Sequence, residues 1–363
     1  MTLNLNIAVF GGDGIGPEIT DPTLKILQSL SSASDEYALS FGVAPAGAAH
    51  YASTGEALPP SSMEIARNAD AILLSAMGLP DVRYADGTEI SPQIDLRKAL
   101  TLFAGVRPVT VRAGQESPLK IPAGKEIDFV LIRESTEGLF HTQGCGELTK
   151  DEARETLLIT REISEKLFRF TFELAANRKK SKRGPGQVTC VDKANVFRAF
   201  AFFREIFDAE AKKHPDLTAD HAYVDAAALL MVQKPWEFDV LVTENMFGDI
   251  LSDLGAGLMG GLGLAPSADI GLEHAVFQPC HGSAPDIAGQ GIANPFAMIL
   301  SAAMMLDWLG IKHGNDALAA DGARLRHAVE TVVSEGRVLT QDLGGRAGTA
   351  QAAEAVAKAL ETL

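Results

Sequence analysis

The chain has 363 residues, enough for two or three compact lobes, and its 46% hydrophobic and 22% charged residues are ordinary for a globular protein. A net charge of −15 argues against nucleic acid and anionic membrane as partners, although a few local arginines can still bind a small anion. The three cysteines show no CxxC spacing and the N-terminus lacks the basic start of a signal peptide, so we expect a cytoplasmic location.

The first half of the chain alternates strand patterns with helix patterns. Short apolar runs predict strands at 7–10, 71–76 and 129–132. Amphipathic spacing predicts helices at 19–30, 94–103 and 149–178. Glycines separate the first strand from its helix, where Pro17 and Glu18 suit a first helical turn.

The second half continues this alternation, which predicts an α/β protein. Strands are expected at 188–191 and 240–243, and helices at 197–214, 247–254 and in the alanine-rich tail 316–363. The apolar run at 296–306 is about half the length that a bilayer requires. The basic turn KKSKRGPG is typical of a solvated loop.

The segment 281–295, HGSAPDIAGQGIANP, mixes glycines and prolines in a way that neither a helix nor a strand tolerates. Long ordered loops of this kind are usually functional, and glycine lets backbone approach a ligand closely. Asp286 is the one acidic residue of the segment. An Asp in such a loop can accept hydrogen bonds from a ribose diol and repels a 2′-phosphate.

Gly255, Gly257 and Gly260 match the GxGxxG spacing of a dinucleotide fingerprint. That fingerprint must follow a strand and open a helix, whereas here a helical segment precedes it and a glycine-rich loop follows. We therefore expect that any NAD site in this chain does not use the usual fingerprint.

Three arginines are candidates for binding a di- or tricarboxylate. Arg97 and Arg107 lie ten residues apart in LRKALTLFAGVRP, and Arg133 opens RESTEG. A single arginine is more often a surface charge or a structural ion pair. Several together can clamp carboxylates, because guanidinium binds them bidentately.

Three acids are candidates for a metal site. Asp249 and Asp253 are four residues apart, so a helix places both on one face, where like charges repel unless a cation lies between them. Asp225 stands in the apolar segment YVDAAALLMV. Oxygen-only ligands suit Mg²⁺ or Mn²⁺. The alternative is acids at a helix N-terminus together with a buried, hydrogen-bonded Asp.

Lys193 lies in VDKANVF, after a predicted strand. A loop lysine is usually just exposed. A lysine beside a metal and other cations has a depressed pKa, which is how a general base is made.

These segments occur in an order that resembles the β-decarboxylating dehydrogenases, the isocitrate/isopropylmalate dehydrogenase family. The matching features are LRKxLxLFAxxRP, RExTEG, VDKANV, the 24- and 4-residue gaps between the three acids, and the 281–295 loop. The resemblance runs from Gly12 to about Asp307, which is most of the chain.

The resemblance implies a role for each candidate residue. Arg97, Arg107 and Arg133 would bind substrate carboxylates, and Ser91 and Gln93 would contact the substrate. Lys193 and Asp225 would be catalytic and remove the hydroxyl proton. A Mg²⁺ or Mn²⁺ ion would be held by Asp225, Asp249 and Asp253. NAD would be bound by His281, Gly282, Ser283, Ala284, Asp286 and Asn294, with Asp286 favouring NAD over NADP.

It also implies a two-lobed α/β fold with a mixed sheet flanked by helices, not a Rossmann fold. A large cofactor-binding domain would comprise residues 1–102 and 260–363, and a small substrate and dimerisation domain would comprise 103–259. The protein would be a homodimer with shared active sites, because Lys193 and Asp225 would reach the site of the partner subunit.

The chain departs from the family at Phe140, where the family carries a tyrosine that relays a proton after CO₂ leaves. Either His141 or a metal-bound water substitutes, or decarboxylation is slow or absent, or the chain is not a catalyst. Ser91 and Gln93 are polar, as in isocitrate-type enzymes, whereas the Asp286 loop and VDKANV resemble the isopropylmalate branch. The substrate is therefore left unassigned.

The main hypothesis is an NAD- and Mg²⁺/Mn²⁺-dependent dehydrogenase that oxidises, and decarboxylates, a 2-hydroxy di- or tricarboxylic acid of isopropylmalate, isocitrate or malate type. One alternative is a tartrate- or malate-type dehydrogenase without obligatory decarboxylation. A second is a noncatalytic regulatory homologue, which Phe140 favours and the intact set of charged residues opposes. Metal-assisted hydrolysis by the acids alone leaves the Asp286 loop unexplained.

Overall fold

The computed structural model describes residues 2–112 and 115–363. The chain divides into two compact units. The first comprises Met1–Leu100, Gly261–Ala268 and Leu272–Leu363, and the second comprises Thr101–Gly260 with Asp269–Gly271. The sequence placed the boundaries after residues 102 and 259 and assigned 269–271 to the other domain.

The first unit contains a sheet in the order β2-β1-β3-β12-β11. Its strands are β1 (Leu3–Phe10), β2 (Tyr37–Val43), β3 (Ala71–Leu74), β11 (Pro266–Ile270, whose last two residues belong to the second unit) and β12 (Ala275–Pro279). β1 pairs in parallel with β2 and β3, and β12 pairs in parallel with β3. Every residue of β3, AILL, is buried, as expected for a parallel strand covered on both faces.

Helices account for the remaining core of the first unit. They are α1 (Gly16–Ala33), α2 (Ala48–Thr54), α3 (Pro60–Asn68), α4 (Pro92–Ala99), α9 (Phe296–His313), α10 (Asp316–Glu335) and α11 (Thr349–Glu361). α9 packs against β3, β12, α1 and α10. Within the described part of the chain, it is the one helix long and apolar enough to span a membrane by length and composition. Its composition is explained by burial of most of its residues in this core.

The second unit contains a sheet in the order β4-β5-β10-β8-β9. Its strands are β4 (Ala104–Val111), β5 (Ile127–Glu134), β8 (Gln187–Asp192), β9 (Thr218–Tyr223) and β10 (Val240–Thr243), and a separate pair is formed by β6 (Glu147–Leu148) and β7 (Ala153–Arg154). β4 is antiparallel to β5, while β5, β10, β8 and β9 are parallel to their neighbours. The helices are α5 (Arg161–Lys180), α6 (Arg198–Ala211), α7 (Val224–Gln233) and α8 (Asn245–Leu258).

The architecture confirms the predicted α/β class with a mixed sheet flanked by helices and a strand order unlike that of a Rossmann fold. The mixed character is seen in the second unit, where β4 is antiparallel to β5 while β5, β10 and β8 pair in parallel. The GxGxxG segment begins inside α8 and runs past its end, so it lacks the strand-to-helix context of a fingerprint.

Three predicted helices are wrong at their boundaries. The helix expected to run to residue 103 ends at Ala99, close to Thr101, whose φ of 50° breaks helical geometry. The helix expected from residue 149 begins only at Arg161, where the Thr160 side chain caps it by accepting a hydrogen bond from the Ile163 N–H. The predicted helical tail is two helices, because α10 ends at Gly336 in the left-handed region.

Candidate functional site

Arg133 lies at the carboxyl end of β5 and is 4% exposed. Its Nε donates to Asn245 Oδ1 over 2.8 Å, and its Nη1 forms an ion pair with Asp249. The Phe140 ring covers the guanidinium, with 5.1 Å from Cζ to the ring centroid. These contacts fix the orientation of the guanidinium in advance of any ligand.

Asp249 and Asp253 lie one helical turn apart on α8. Burial raises the pKa of Asp253, the neighbouring Asp249 raises it further, and Arg133 and Arg107 oppose the shift. A cation between two such carboxylates removes their repulsion, and oxygen ligands are those that Mg²⁺ and Mn²⁺ prefer. The donor set on α8 therefore fits a divalent cation.

Arg107 lies on β4 and is buried, with an ion pair of 3.1 Å from its Nη2 to Asp269 Oδ1. Asp269 is fully buried and also accepts a hydrogen bond from Ser135 Oγ at 3.2 Å. Gly105 is required beside them, because a Cβ there would lie 2.5 Å from Ser135 Oγ. Arg107 is thus held beside the α8 acids by a buried partner that sequence reasoning missed.

Lys193 and Asp225 form a second charged cluster of the same unit. Lys193 Nζ donates to Asp225 Oδ1 over 2.5 Å, and this bond lowers the pKa of Asp225. Arg204 clamps the buried Asp192 with two bonds of 2.7 Å, and Asp192 accepts from the Ala194 N–H. This clamp fixes the loop that carries Lys193.

The alternative in which Asp225 is a buried, hydrogen-bonded carboxylate is wrong within one chain, because its side chain is 69% exposed. Apolar residues of α7 are exposed as well, including Leu229 at 56% and Val232 at 45%. Across the residues that the structure describes, no group of three acidic, histidine or cysteine side chains is arranged to hold a metal within one chain. Asp225 therefore does not join Asp249 and Asp253 in the single chain.

The residues predicted to contact substrate in the first unit lie along α4, from its N-cap to its last turn. Ser91 is the N-cap residue, and its Oγ donates to Glu89 O at 3.3 Å. Gln93 follows in the first turn, and its Oε1 is buried without a hydrogen-bond donor among the described residues. Arg97 is half-buried in the last turn of the same helix.

The loop 281–295, called here the cofactor loop after the role that the resemblance implies, meets two other loops of the first unit. The Ile15 N–H donates to Ser283 O over 2.8 Å, and Ser283 Oγ donates to Gly78 O. Gly14 has a φ of 58°, and a Cβ there would lie 2.0 Å from Ser283 O. Ala284 is strained at a φ of 37°. Close backbone approach therefore fixes the start of the loop.

A cavity of about 340 Å³ lies beside this loop within the first unit. Its walls include His281, Ile287, Ile292 and Asn294 of the loop, together with Ile15 and Asp342. Apolar walls with a few polar groups are typical of a small-molecule site. Gly282 and Asp286 are exposed on the same loop, and Asp286 O accepts from Gln290 Nε2 at 2.8 Å.

The protonation state and hydrogen bonds of His281 indicate whether this cavity suits the adenosine half of NAD. Burial lowers the pKa of His281, so its imidazole is neutral at pH 7. Its Nδ1 lies 2.9 Å from Gly282 O, which assigns the proton to Nδ1 and makes Nε2 an acceptor. Nε2 is buried without a donor among the described residues. An adenine amino group or a ribose hydroxyl would supply that donor, so the residues fit the cofactor.

Sequence reasoning missed several residues that shape this region. Asp13 is buried and accepts from three backbone N–H groups, those of Ala48, Ala49 and Gly78, at 2.8–2.9 Å. Asp342 accepts from Asn294 Nδ2 at 2.9 Å. Asp13 was visible as an acid within the GGDGIGPE turn, whereas nothing local marks Asp342, which is 48 residues from its partner.

A statistical model of the family described as isocitrate/isopropylmalate dehydrogenase matches residues 6–358. The chain belongs to the isocitrate/isopropylmalate dehydrogenase family. The resemblance drawn from the sequence is therefore confirmed. So is the prediction of an enzyme of the hydroxy-acid dehydrogenase type, since curated members of the family carry dehydrogenase names.

Two relatives from Methanocaldococcus jannaschii illustrate the range of substrates within the family. A 3-isopropylmalate/3-methylmalate dehydrogenase is 42% identical, covering 97% of this chain and 98% of the relative. A homoisocitrate dehydrogenase is also 42% identical, covering 94% and 93%. Equal identity to enzymes with different names leaves the substrate of this family member open.

Solved structures agree with the family assignment. An isocitrate dehydrogenase from Methylococcus capsulatus superimposes with a TM-score of 0.84 at 37% identity, covering 98% of this chain and 99% of that one. A β-decarboxylating dehydrogenase from Thermococcus kodakarensis gives a TM-score of 0.78 at 36% identity, covering 99% and 96%.

Proposed function

We propose that this protein oxidises a 2-hydroxy di- or tricarboxylic acid with NAD⁺ and a bound Mg²⁺ or Mn²⁺, and then releases CO₂. The observation that carries the proposal is the cluster on the second unit, in which buried Arg107 and Arg133 lie beside Asp249 and Asp253. Guanidinium groups bind carboxylates, and paired carboxylates bind divalent cations. In this proposal, a hydroxy acid with more than one carboxylate uses both the two arginines and the divalent cation.

Each residue of the cluster then has a distinct task. Arg107 and Arg133 bind substrate carboxylates, and their buried partners prevent them from swinging away. Asp249 and Asp253 hold the divalent cation, which supplies positive charge to the hydroxyl and carboxylate oxygens, while NAD⁺ accepts the hydride. In the first unit, Arg97, Ser91 and Gln93 remain assigned to the substrate by resemblance.

Lys193 and Asp225 are proposed to remove the hydroxyl proton. In its neutral form Lys193 would accept the hydroxyl proton, and the Asp225 carboxylate, 2.5 Å from Nζ, would orient the amine. The exposed position of Asp225 allows its carboxylate to serve outside its own chain.

We further propose a homodimer in which Lys193 and Asp225 complete the site of the partner subunit. The support is an outward apolar surface on the helices that carry the acids, including Leu229 of α7 and Met246 and Ile250 of α8. Exposed apolar side chains that are grouped in this way favour association between subunits. Asp225 of the partner subunit would then be the third acid beside Asp249 and Asp253.

NAD is proposed to bind along the cofactor loop, with its adenosine in the cavity beside His281. His281, Ser283, Ala284 and Asn294 belong to the loop segments that shape this cavity or the close turn beside it. Asp286 is exposed on the loop, where its carboxylate can accept from a ribose diol. Cytoplasmic location remains our expectation from the spacing of the three cysteines in the sequence.

A second candidate function is oxidation without decarboxylation. Phe140 favours it. Its ring lies under the Arg133 guanidinium and has no hydroxyl that could protonate the carbanion left when CO₂ departs. A malate- or tartrate-type substrate would then leave as the keto acid.

The test is NADH formation with Mn²⁺ present, in a screen of isopropylmalate, isocitrate, homoisocitrate, D-malate and the tartrates, with CO₂ trapped in parallel. Turnover with equal amounts of NADH and CO₂ supports the main proposal. NADH without CO₂ supports the second candidate. NAD⁺ binding without turnover of any of these acids would contradict both for this set of substrates.

A further inference from the structure

The cofactor loop has few hydrogen bonds of its own along its second half. Its internal backbone bonds are Ile287 N–H to Ala284 O and Gln290 N–H to Ile287 O, both 3.2 Å long. Gly289 and Gly291 have φ values of 73° and 69°, which other residues adopt only with strain. The position of this stretch is therefore set by what surrounds it.

Two residues distant in sequence hold the stretch 289–293 through hydrogen bonds. The Thr349 N–H donates to Gly291 O over 2.8 Å, and Thr349 Oγ1 lies 2.7 Å from Ala293 O. Glu18 Oε1 accepts from the Ala293 N–H at 3.1 Å and lies 2.5 Å from Thr349 Oγ1. One carboxylate and one hydroxyl thus connect the starts of α1 and α11 to the loop.

The charge of Glu18 suits this task. Burial alone would raise the pKa of Glu18, but hydrogen bonds from Thr349 and from the backbone at Ala293, Gly291 and Gly289 outweigh it and lower the pKa. The ionised carboxylate accepts hydrogen bonds only, so its Oε1 matches the Ala293 N–H and the Thr349 hydroxyl, whereas its buried Oε2 has no hydrogen-bond partner among the described residues. It also lies in the first turn of α1, where the helix dipole favours negative charge.

Neither residue lines the cavity beside the loop. Three of the four loop residues that do so flank or overlap the stretch that Glu18 and Thr349 hold, namely Ile287, Ile292 and Asn294. A shift of this stretch would move the cavity wall, although the two anchoring residues touch no ligand there.

We propose that Glu18 and Thr349 are positioning residues that hold the cofactor loop in the conformation to which the adenosine half of NAD binds. This inference rests on the proposed use of NAD. It adds an anchor formed by the first turns of α1 and α11, which hydrogen-bond to the loop. It also assigns α11 a role in cofactor affinity.

The test measures binding of NAD⁺ by calorimetry, and of NADH by its fluorescence, to wild type and to Glu18→Gln and Thr349→Val. Each change removes one charge or hydroxyl at nearly constant volume. We expect the Kd for NAD⁺ to rise about tenfold, as when one hydrogen bond to a charged group is lost. The kcat at saturating NAD⁺ and the KM for the hydroxy acid should stay unchanged.

Two controls separate positioning from general destabilisation. Thr349→Ser keeps the hydroxyl and should bind NAD⁺ as wild type does, whereas Glu64→Gln changes an exposed acid of α3 and should have no effect. Unaltered Kd values in folded Glu18→Gln and Thr349→Val would overturn the inference. Failure of both to fold would also overturn it, because the residues would then serve the fold. Wild type that binds no NAD⁺ would instead refute the proposed cofactor.

Discussion

Phe140 shows how one side chain can decide between two reactions at the same site. Its ring lies under Arg133, so an aromatic residue at this position helps to orient the guanidinium whether or not it carries a hydroxyl. A hydroxyl would add only the ability to donate a proton. Orientation of the substrate and protonation of the product are therefore separable at this residue.

Substitution Phe140→Tyr is predicted to raise the rate at which the decarboxylated keto acid forms by about tenfold or more if the protein decarboxylates its substrate, because general acid catalysis of the protonation that follows CO₂ release contributes at least that much. The measurement is the decarboxylated keto acid formed at saturating substrate, with CO₂ and NADH followed in parallel. Phe202→Tyr is a matched control, since Phe202 also lies under an arginine, Arg161, at 5.0 Å. Equal rates of keto-acid formation in wild type and Phe140→Tyr would contradict this account.

At the level of elements, the turn that follows β5 depends on buried acids. Glu134 accepts hydrogen bonds from Thr136 N–H and Oγ1 at 2.6 Å and from the Glu137 N–H at 2.7 Å. Glu137 in turn accepts from Thr160, which caps α5. The turn after Arg133 and the start of α5 are thus tied together, which explains why α5 begins where it does.

The stability of this turn should depend on pH. Burial raises the pKa of Glu134 from 4.5 to about 7. Because the folded pKa is the higher one, the stabilisation is fully present below pH 4.5 and is lost as pH rises through about 7. Wild type should therefore lose on the order of 2 kcal/mol between pH 5 and 8 relative to Glu134→Gln.

Urea unfolding of both proteins at several pH values checks this expectation. Glu173→Gln, a change at an exposed position of α5, should follow the wild-type curve. Parallel curves for wild type and Glu134→Gln would show that Glu134 does not titrate in this range.

For the whole molecule, the decisive feature is that the three candidate metal ligands fall into two clusters of one chain. Asp249 and Asp253 lie with Arg133, while Asp225 pairs with Lys193. If each site takes one cluster from each subunit, two inactive variants with defects in different clusters can form one intact site in a mixed dimer.

Coexpression of Asp225→Asn with Asp253→Asn should therefore restore about a quarter of wild-type activity, since half of the dimers are mixed and half of their sites are intact. The mixed dimer can be purified with two different tags and assayed for NADH formation. Asp249→Asn with Asp253→Asn is the matched control, because both defects lie in one cluster, and it should stay inactive. Absence of recovery in the first pair would contradict shared sites.

The fold could be predicted at the level of class and family, because apolar periodicity and ordered motifs are local properties of the chain. Helix boundaries were less predictable. The start of α5 depends on Glu137, which lies 23 residues from the cap that it binds. The largely exposed β9, TADHAY, carries no apolar run that would have marked it as a strand.

By itself the sequence determined the α/β class, the family and the residue types that the chemistry requires, since these follow from periodicity and from side chains at particular spacings. Only the tertiary structure decided which of those residues meet. It paired Arg133 with Asp249, Lys193 with Asp225 and Arg107 with Asp269, and it connected Glu18 and Thr349, 331 residues apart, to the cofactor loop. Such pairs depend on packing between distant segments, and hydrogen bonds and ion pairs form only where that packing brings the groups within about 3 Å.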